Sequence, residues 1–331
     1  MKLKSLVIAL AAIALMMTGL ISGAVAKTFR VACVMPSAIN DYSWSQSFYA
    51  ALVEIQEEMQ DQAAYMMGEQ NFEFICSENL FQLDKAEAAI RRYAGQGHNL
   101  VIAHGSQYGN LIKKIAPEFP KISFCWGTGG DPFTNLGIKN VFGYTSLAEQ
   151  SGFVMGALAG KLTRTGIIGW VGPVEASATK AYADGFKSGV KDANPHARVL
   201  STWTGSYSNL APATKAAEAH ISAGADVLDG HAQIQFAVIN ACARHGVYFL
   251  GAQANQIPYN PGTVVASQIN VWKVALMPMI KAIQEGKLGG EKFTLTLKNG
   301  GQEIEVNAPL LEKALVGKTI WRICEGKIKI Y

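Results

Sequence analysis

No strand-like run in this chain is followed by the Gly-x-Gly-x-x-Gly turn of a dinucleotide site, and there is no Walker-type phosphate loop. Gly105-Ser106-Gln107-Tyr108-Gly109 approaches a nucleophile elbow, but its serine stands one position early. The six histidines, His98, His104, His196, His220, His231 and His245, are isolated, and none has metal-ligand spacing. Five cysteines, Cys33, Cys76, Cys125, Cys242 and Cys324, are too few and too scattered for a disulfide scaffold. Cys33, Cys76 and Cys125 lie in apolar strand-like runs and read as buried thiols; a single disulfide is compatible with the pattern, but no pairing can be read. Arginine is missing from the loops that follow the strands, which argues against a phosphate or carboxylate ligand. Charged residues make up only 16% of the chain, with a net charge of +4. That is too little to suggest nucleic acid or a membrane surface as partner. The expectation is therefore a protein with no cofactor, no metal and no catalytic constellation.

What is present begins at the N-terminus. Met1-Lys2-Leu3-Lys4 is basic, the run from Leu6 to about Ile21 is apolar or small, and Ala24-Val25-Ala26 closes it. This order predicts a secretory signal peptide cleaved after Ala26. Loss of Lys2 and Lys4 would bring the charge of +4 down to +2. No cysteine stands at the cleavage site, so a lipid anchor is not indicated, and a periplasmic location is the inference. No later stretch reaches about 18 consecutive apolar residues.

The rest alternates short apolar runs with segments of helical periodicity. Strands are predicted at 28–35, 72–76, 100–103 and 122–126, with a helix between each pair. In the first helix Trp44, Phe48, Leu52, Ile55 and Met59 recur at spacings of three and four. After residue 144 the pattern restarts, with strands at 166–171, 198–203, 225–228 and 247–250. The fold class that follows is α/β, with two doubly wound parallel-sheet lobes joined by a hinge. Chain crossings near 144 and 268 divide the protein into a signal peptide (1–26), a first lobe (27–144 with about 269–290) and a second (145–268 with part of 291–331). The tail 293–306 alternates like an antiparallel hairpin about Asn299-Gly300-Gly301.

Ligands of open parallel sheets bind beyond the carboxyl ends of the strands. That rule selects the candidate binding residues. Asn40, Asp41, Ser43 and Trp44 follow the first strand, His104 the third, and Trp126 and Gly127 the fourth. Trp203 and Tyr207, His231, and Gln253 follow strands of the second half, and Asn270 and Trp272 stand at the last crossing. Each has a plainer reading. Trp44 is in phase with the apolar stripe of its helix, Asn40 and Asp41 belong to a turn, Ser43 is an N-cap candidate, and Trp272 could pack the hinge. Aromatics and uncharged amides at strand ends suit a planar, polar, mostly uncharged ligand. A sugar would call for a similar set.

Several segments together resemble one family. They are Asn40-Asp41-Tyr42-Ser43-Trp44-Ser45-Gln46, the glycine-spaced helix Gly152–Gly160, Ile168-Gly169-Trp170-Val171-Gly172, Gly224-Ala225-Asp226-Val227, and Asn270 with Trp272. The chain resembles the basic membrane protein (Bmp/PnrA-like) group of substrate-binding proteins for ABC importers. The resemblance implies a two-lobed fold of the type I periplasmic-binding kind and a permease and ATPase as partners. It also implies a purine nucleobase or nucleoside-like ligand, stacked on Trp44 with Asp41 as acceptor. One departure matters. Where the family commonly has Gly-x-Asp-x-Asp, this chain has Gly251-Ala252-Gln253-Ala254-Asn255. Amides replace both acids, which disfavours a ribose-bearing ligand and keeps open a free base, or a ligand that itself carries acceptors or negative charge. A receptor for a sugar or another small polar ligand, or a sensor for a membrane signalling receptor, is the alternative.

Overall fold

The structure is a computed structural model that describes residues 28–65, 71–307, 310–328 and 330. The expected signal segment, 1–26, lies outside them. Among the described residues, twelve strands form two six-stranded sheets. The first, in spatial order β2-β1-β3-β4-β5-β11, consists of β1 (Phe29–Val34), β2 (Phe72–Ser77), β3 (Leu100–Ala103), β4 (Ser123–Gly127), β5 (Val141–Ser146) and β11 (Lys292–Leu295). All of its neighbours run parallel. The second is ordered β7-β6-β8-β9-β10-β12, from β6 (Ile167–Gly172), β7 (Arg198–Trp203), β8 (Val227–Gly230), β9 (Tyr248–Gly251), β10 (Val264–Asn270) and β12 (Gln302–Val306). Only β12 is antiparallel, to β10. The doubly wound α/β expectation is met in both halves.

The central strands read Leu-Val-Ile-Ala in β3 and Val-Leu-Asp-Gly in β8, and every residue of both is buried. Helices cover both faces, so β3 carries a continuous apolar run instead of an alternation, and β8 departs from such a run at Asp229. The helices are α1 (Trp44–Tyr65), α2 (Leu83–Gly95), α3 (Gly109–Ile115), α4 (Ala148–Leu162), α5 (Ser177–Ala193), α6 (Leu210–Ser222), α7 (Gln235–His245), α8 (Lys273–Gln284) and α9 (Leu310–Cys324). Phe48, Leu52 and Ile55 of α1 are fully buried against Trp272, Leu276 and Met279 from the start of α8. Helix α8 thus packs on the first lobe, although it follows a strand of the second.

The chain passes between lobes after β5, after β10, and again between β11 and β12. This last passage corrects the expected hairpin at 293–306. Its two strands do form, but β11 pairs with β5 and β12 with β10, in different sheets. The Asn299-Gly300 turn is real: Asn299 Oδ1 accepts from the N–H groups of Thr296 and Gly301. The turn redirects the chain across the gap and does not fold the strands onto each other. All five cysteines are free thiols.

Candidate functional site

A cavity of about 510 Å³ opens between the lobes. Its wall is built almost wholly from residues that follow strands. From the first lobe come Ser37 and Trp44 after β1, Asn79 and Phe81 after β2, Gln107 after β3 and Thr128 after β4. From the second come Val174 and Thr179 after β6, Ser206 and Tyr207 after β7, His231 and Gln233 after β8, and Gln253 after β9. Among the described residues no Asp, Glu, Lys or Arg side chain lines it. A second space of about 30 Å³ lies deeper, at the lobe crossings, and shares Trp44, Thr128, Ala178, His231 and Gln253 with the first. Thr145, Tyr182, Gln268, Asn270 and Trp272 help enclose this annex.

Trp44 is held from behind. The His104 ring stacks on its indole at 4.4 Å with an interplanar angle of 9°, and Trp272 meets it edge-on at 4.9 Å. Trp44 Nε1 donates to the His104 carbonyl at 3.2 Å. His104 Nε2 lies 3.1 Å from the Trp44 carbonyl, which can only accept, so the ring proton sits on Nε2. Nδ1 then accepts from the Tyr144 hydroxyl at 2.5 Å. Burial pushes the His104 pKa down to about 3, which keeps the ring neutral. One indole face is thus covered and the residue's remaining side forms cavity wall.

Of the residues selected from sequence, Trp44, Tyr207, His231 and Gln253 stand on the cavity wall, and Asn270 and Trp272 on the annex. The others do not, for specific reasons. His104 backs Trp44. Trp126 stacks on Phe133 and donates to the Gly105 carbonyl, turning away from the cleft. Gly127 is buried where a Cβ would stand 2.4 Å from the Tyr144 hydroxyl. Trp203 packs edge-on against Trp170 at 4.6 Å. Asn40 is exposed. Asp41 has its carboxylate fully engaged: it accepts from the backbone N–H groups of Ser43, Ser45 and Gln46, from Ser37 Oγ and from Gln233 Nε2. Asp41, and not Ser43, therefore caps α1. Ser43 instead reaches across the cleft, donating to Gln253 Oε1 at 2.6 Å. Asn255, one of the amide replacements, is exposed and accepts from the Ile257 N–H in a turn.

Asn79, Phe81, Gln107, Thr128 and Ser206 were missed. Each follows a strand, so the same strand-end rule would have found them. Phe81 is 58% exposed, unusual for a phenylalanine that only packs. Gln107 Nε2 and His231 Nδ1 are buried wall atoms without a hydrogen-bond partner among the described residues. Burial lowers the His231 pKa to about 4. Beneath it Asp229, fully buried, accepts from the Tyr182 hydroxyl at 3.0 Å, and desolvation pushes its carboxyl well above the usual range.

The lobes grip each other through the lead-in to α1. Gln233 bonds Asp41, Gln256 Nε2 donates to the Tyr42 carbonyl at 2.9 Å, and Gln253 bonds Ser43. The Tyr42 ring packs on Phe236 at 5.3 Å and Tyr259 at 5.6 Å. Tyr42, Thr128, Ala232 and Gln253 hold positive φ without being glycine, and all four lie at this cleft. Such strained backbone gathers at ligand clamps.

Across residues 28–329 the sequence matches the family model described as ABC transporter substrate-binding protein PnrA-like. The chain belongs to that family. Members bind a small solute and work with a permease and an ATPase. The chain is 25% identical to a purine-binding protein of Brucella abortus over 290 residues, 87% of this chain and 79% of that one. It is also 25% identical to the transcriptional activator protein med of Bacillus subtilis, over 87% of this chain and 85% of that one. Among solved structures, an ABC transporter solute-binding protein from Conexibacter woesei superposes with a TM-score of 0.75 at 23% identity, covering 92% of this chain and 99% of the other. Among the described residues no helix is long and apolar enough to cross a membrane.

Proposed function

We propose that this protein captures an uncharged, planar heteroaromatic solute of the purine base or nucleoside type in the periplasm and delivers it to an ABC importer. The observation that carries the reading is the composition of the cavity wall. The rings of Trp44, Phe81 and Tyr207 stand among amides, hydroxyls and the neutral His231, with no charged side chain on the surface among the described residues. Faces of that kind stack a flat ring for about 1–3 kcal/mol per base. A few placed polar groups then fix its orientation. A charged ligand would meet no counter-charge there, and its desolvation would go uncompensated. The named function of the Brucella relative is consistent with this ligand class.

The test is a thermal-shift screen of the mature protein, unfolded and refolded to strip carried ligand, against nucleobases, nucleosides, sugars and amino acids. A ligand that binds only the folded state raises stability by mass action, about 2.7 kcal/mol at a hundred times its Kd. Purines are expected to raise the melting temperature, and Trp44→Ala to weaken their binding by about tenfold or more. A shift with a sugar and none with any purine would replace the purine reading with the sugar reading.

A further inference from the structure

We infer that the annex receives a single carbonyl oxygen of the bound ring, with the side-chain amide of Asn270 as its hydrogen-bond donor. This rests on the purine reading above and sharpens it to ring systems that carry an oxo group.

The argument is one of polarity passed along a chain of amides. The Gln253 backbone N–H can only donate, and it does so to Gln268 Oε1 at 2.9 Å. That contact sets which end of the Gln268 amide is oxygen. Its nitrogen must point the other way, and Gln268 Nε2 donates to Asn270 Oδ1 at 3.0 Å. Asn270 is thereby oriented in turn, and the group it has left is Nδ2. That nitrogen has no hydrogen-bond partner among the described residues, and Asn270 lines the annex. Both amides are nearly inaccessible, at 2% and 7% exposure, so neither can turn over without breaking a buried bond.

The annex therefore presents a fixed donor. Gln253, whose Oε1 accepts from Ser43 Oγ, keeps its Nε2 as a second donor of the same polarity, and the remaining polar groups do not oppose it. Ser151 Oγ donates to the Ala148 carbonyl, and Ser146 Oγ accepts from Gln302 Nε2. The Tyr182 hydroxyl is engaged by Asp229. The Thr145 hydroxyl and the neutral His231 ring serve either polarity. Size points the same way. At about 30 Å³ against about 510 Å³ for the main cavity, the annex takes a small substituent and not the ring itself. A ring held in the main cavity against Trp44 reaches the annex through the wall residues the two spaces share. An exocyclic oxygen satisfies Asn270 Nδ2. An exocyclic amino group would face it donor to donor.

Hypoxanthine and adenine differ at this point, an oxo against an amino group on the same ring atom, and both are uncharged at neutral pH. Isothermal titration of the refolded, ligand-free mature protein is expected to find hypoxanthine about tenfold the tighter, the scale of one hydrogen bond against its mismatch. N270A is expected to bring the two affinities toward parity, with its unliganded melting temperature as the check on folding. Adenine binding as tightly as hypoxanthine to the wild type overturns the inference without recourse to any variant, while leaving purine capture standing. So does a hypoxanthine preference that survives N270A in a folded protein. Failure of both bases and of their nucleosides to bind overturns the purine reading itself, and this inference with it.

Discussion

At the scale of single residues, Asp229 is the most exposing case. It is an acid inside the central strand β8, fully buried beneath His231, and among the described residues its one hydrogen-bond partner is Tyr182. Its pKa is raised by desolvation, so the native state holds a proton that the unfolded state releases above its ordinary value of about 4. Native stability attributable to this group is thus full at acid pH and falls as pH rises above that value. Asp229→Asn keeps the shape without the charge. Urea denaturation is expected to find the variant equal to wild type near pH 4 and progressively more stable than it toward pH 8. A difference that does not vary with pH would mean the carboxyl is not held neutral. Trp44 shows the opposite relation between sequence and role. Its phase in the α1 stripe reads as core, and its neighbours Phe48, Leu52 and Ile55 are core. Only the backing by His104 and Trp272, from 60 and 228 residues away in sequence, turns it to the cavity.

At the scale of elements, the glycine spacing of α4 acquires a physical cause. α4 and α5 pack backbone to backbone. A Cβ on Gly156 would stand 1.9 Å from the Phe186 carbonyl oxygen, and one on Gly189 2.0 Å from that of Phe153. Alanine is the better helix former by about 1 kcal/mol. Here the obstruction is main chain, which cannot swing aside, so overpacking outweighs propensity. G156A is expected to lower stability by about 2 kcal/mol in denaturant titration; a neutral or stabilising result would mean the helices part without cost. The strands β11 and β12 were each legible as alternating runs, since one face of an edge strand stays open. Their partners were not legible, because period two says which face is buried and nothing of which sheet buries it.

At the scale of the whole molecule, the lobes are joined by contacts that do not line the cavity. The Tyr42, Phe236 and Tyr259 cluster and the Gln256–Tyr42 bond clasp the lead-in to α1 from across the cleft. A clasp of this kind favours the closed form whether or not a solute is inside, and it raises apparent affinity by raising the closed population. Tyr259→Ala removes ring contacts worth about 0.5–1.5 kcal/mol while leaving the wall intact. It is expected to weaken binding of whatever ligand the screen finds by about two- to tenfold, and to enlarge the unliganded radius of gyration in small-angle scattering. Unchanged affinity and radius would assign the cluster to local packing alone.

The amino-acid order was enough to assign the doubly wound class, because helix and strand differ in their hydrophobic period and the central strands are buried on both faces. It determined the family, because the order of short motifs along the chain survives where overall identity is low. It also pointed to the candidate cleft in outline, because strand ends in such sheets converge on one cleft. Which strand-end residues reach the cleft was decided only in three dimensions. Trp126, Trp203 and Asp41 turn away because Phe133, Trp170 and the α1 amides claim them; the Asp41 cap is a local pattern, whereas the Trp170–Trp203 contact joins neighbouring strands that no local pattern pairs. The polarity of Asn270 was likewise invisible, since an amide has two faces and only the buried Gln253 N–H, relayed through Gln268, selects the one it presents.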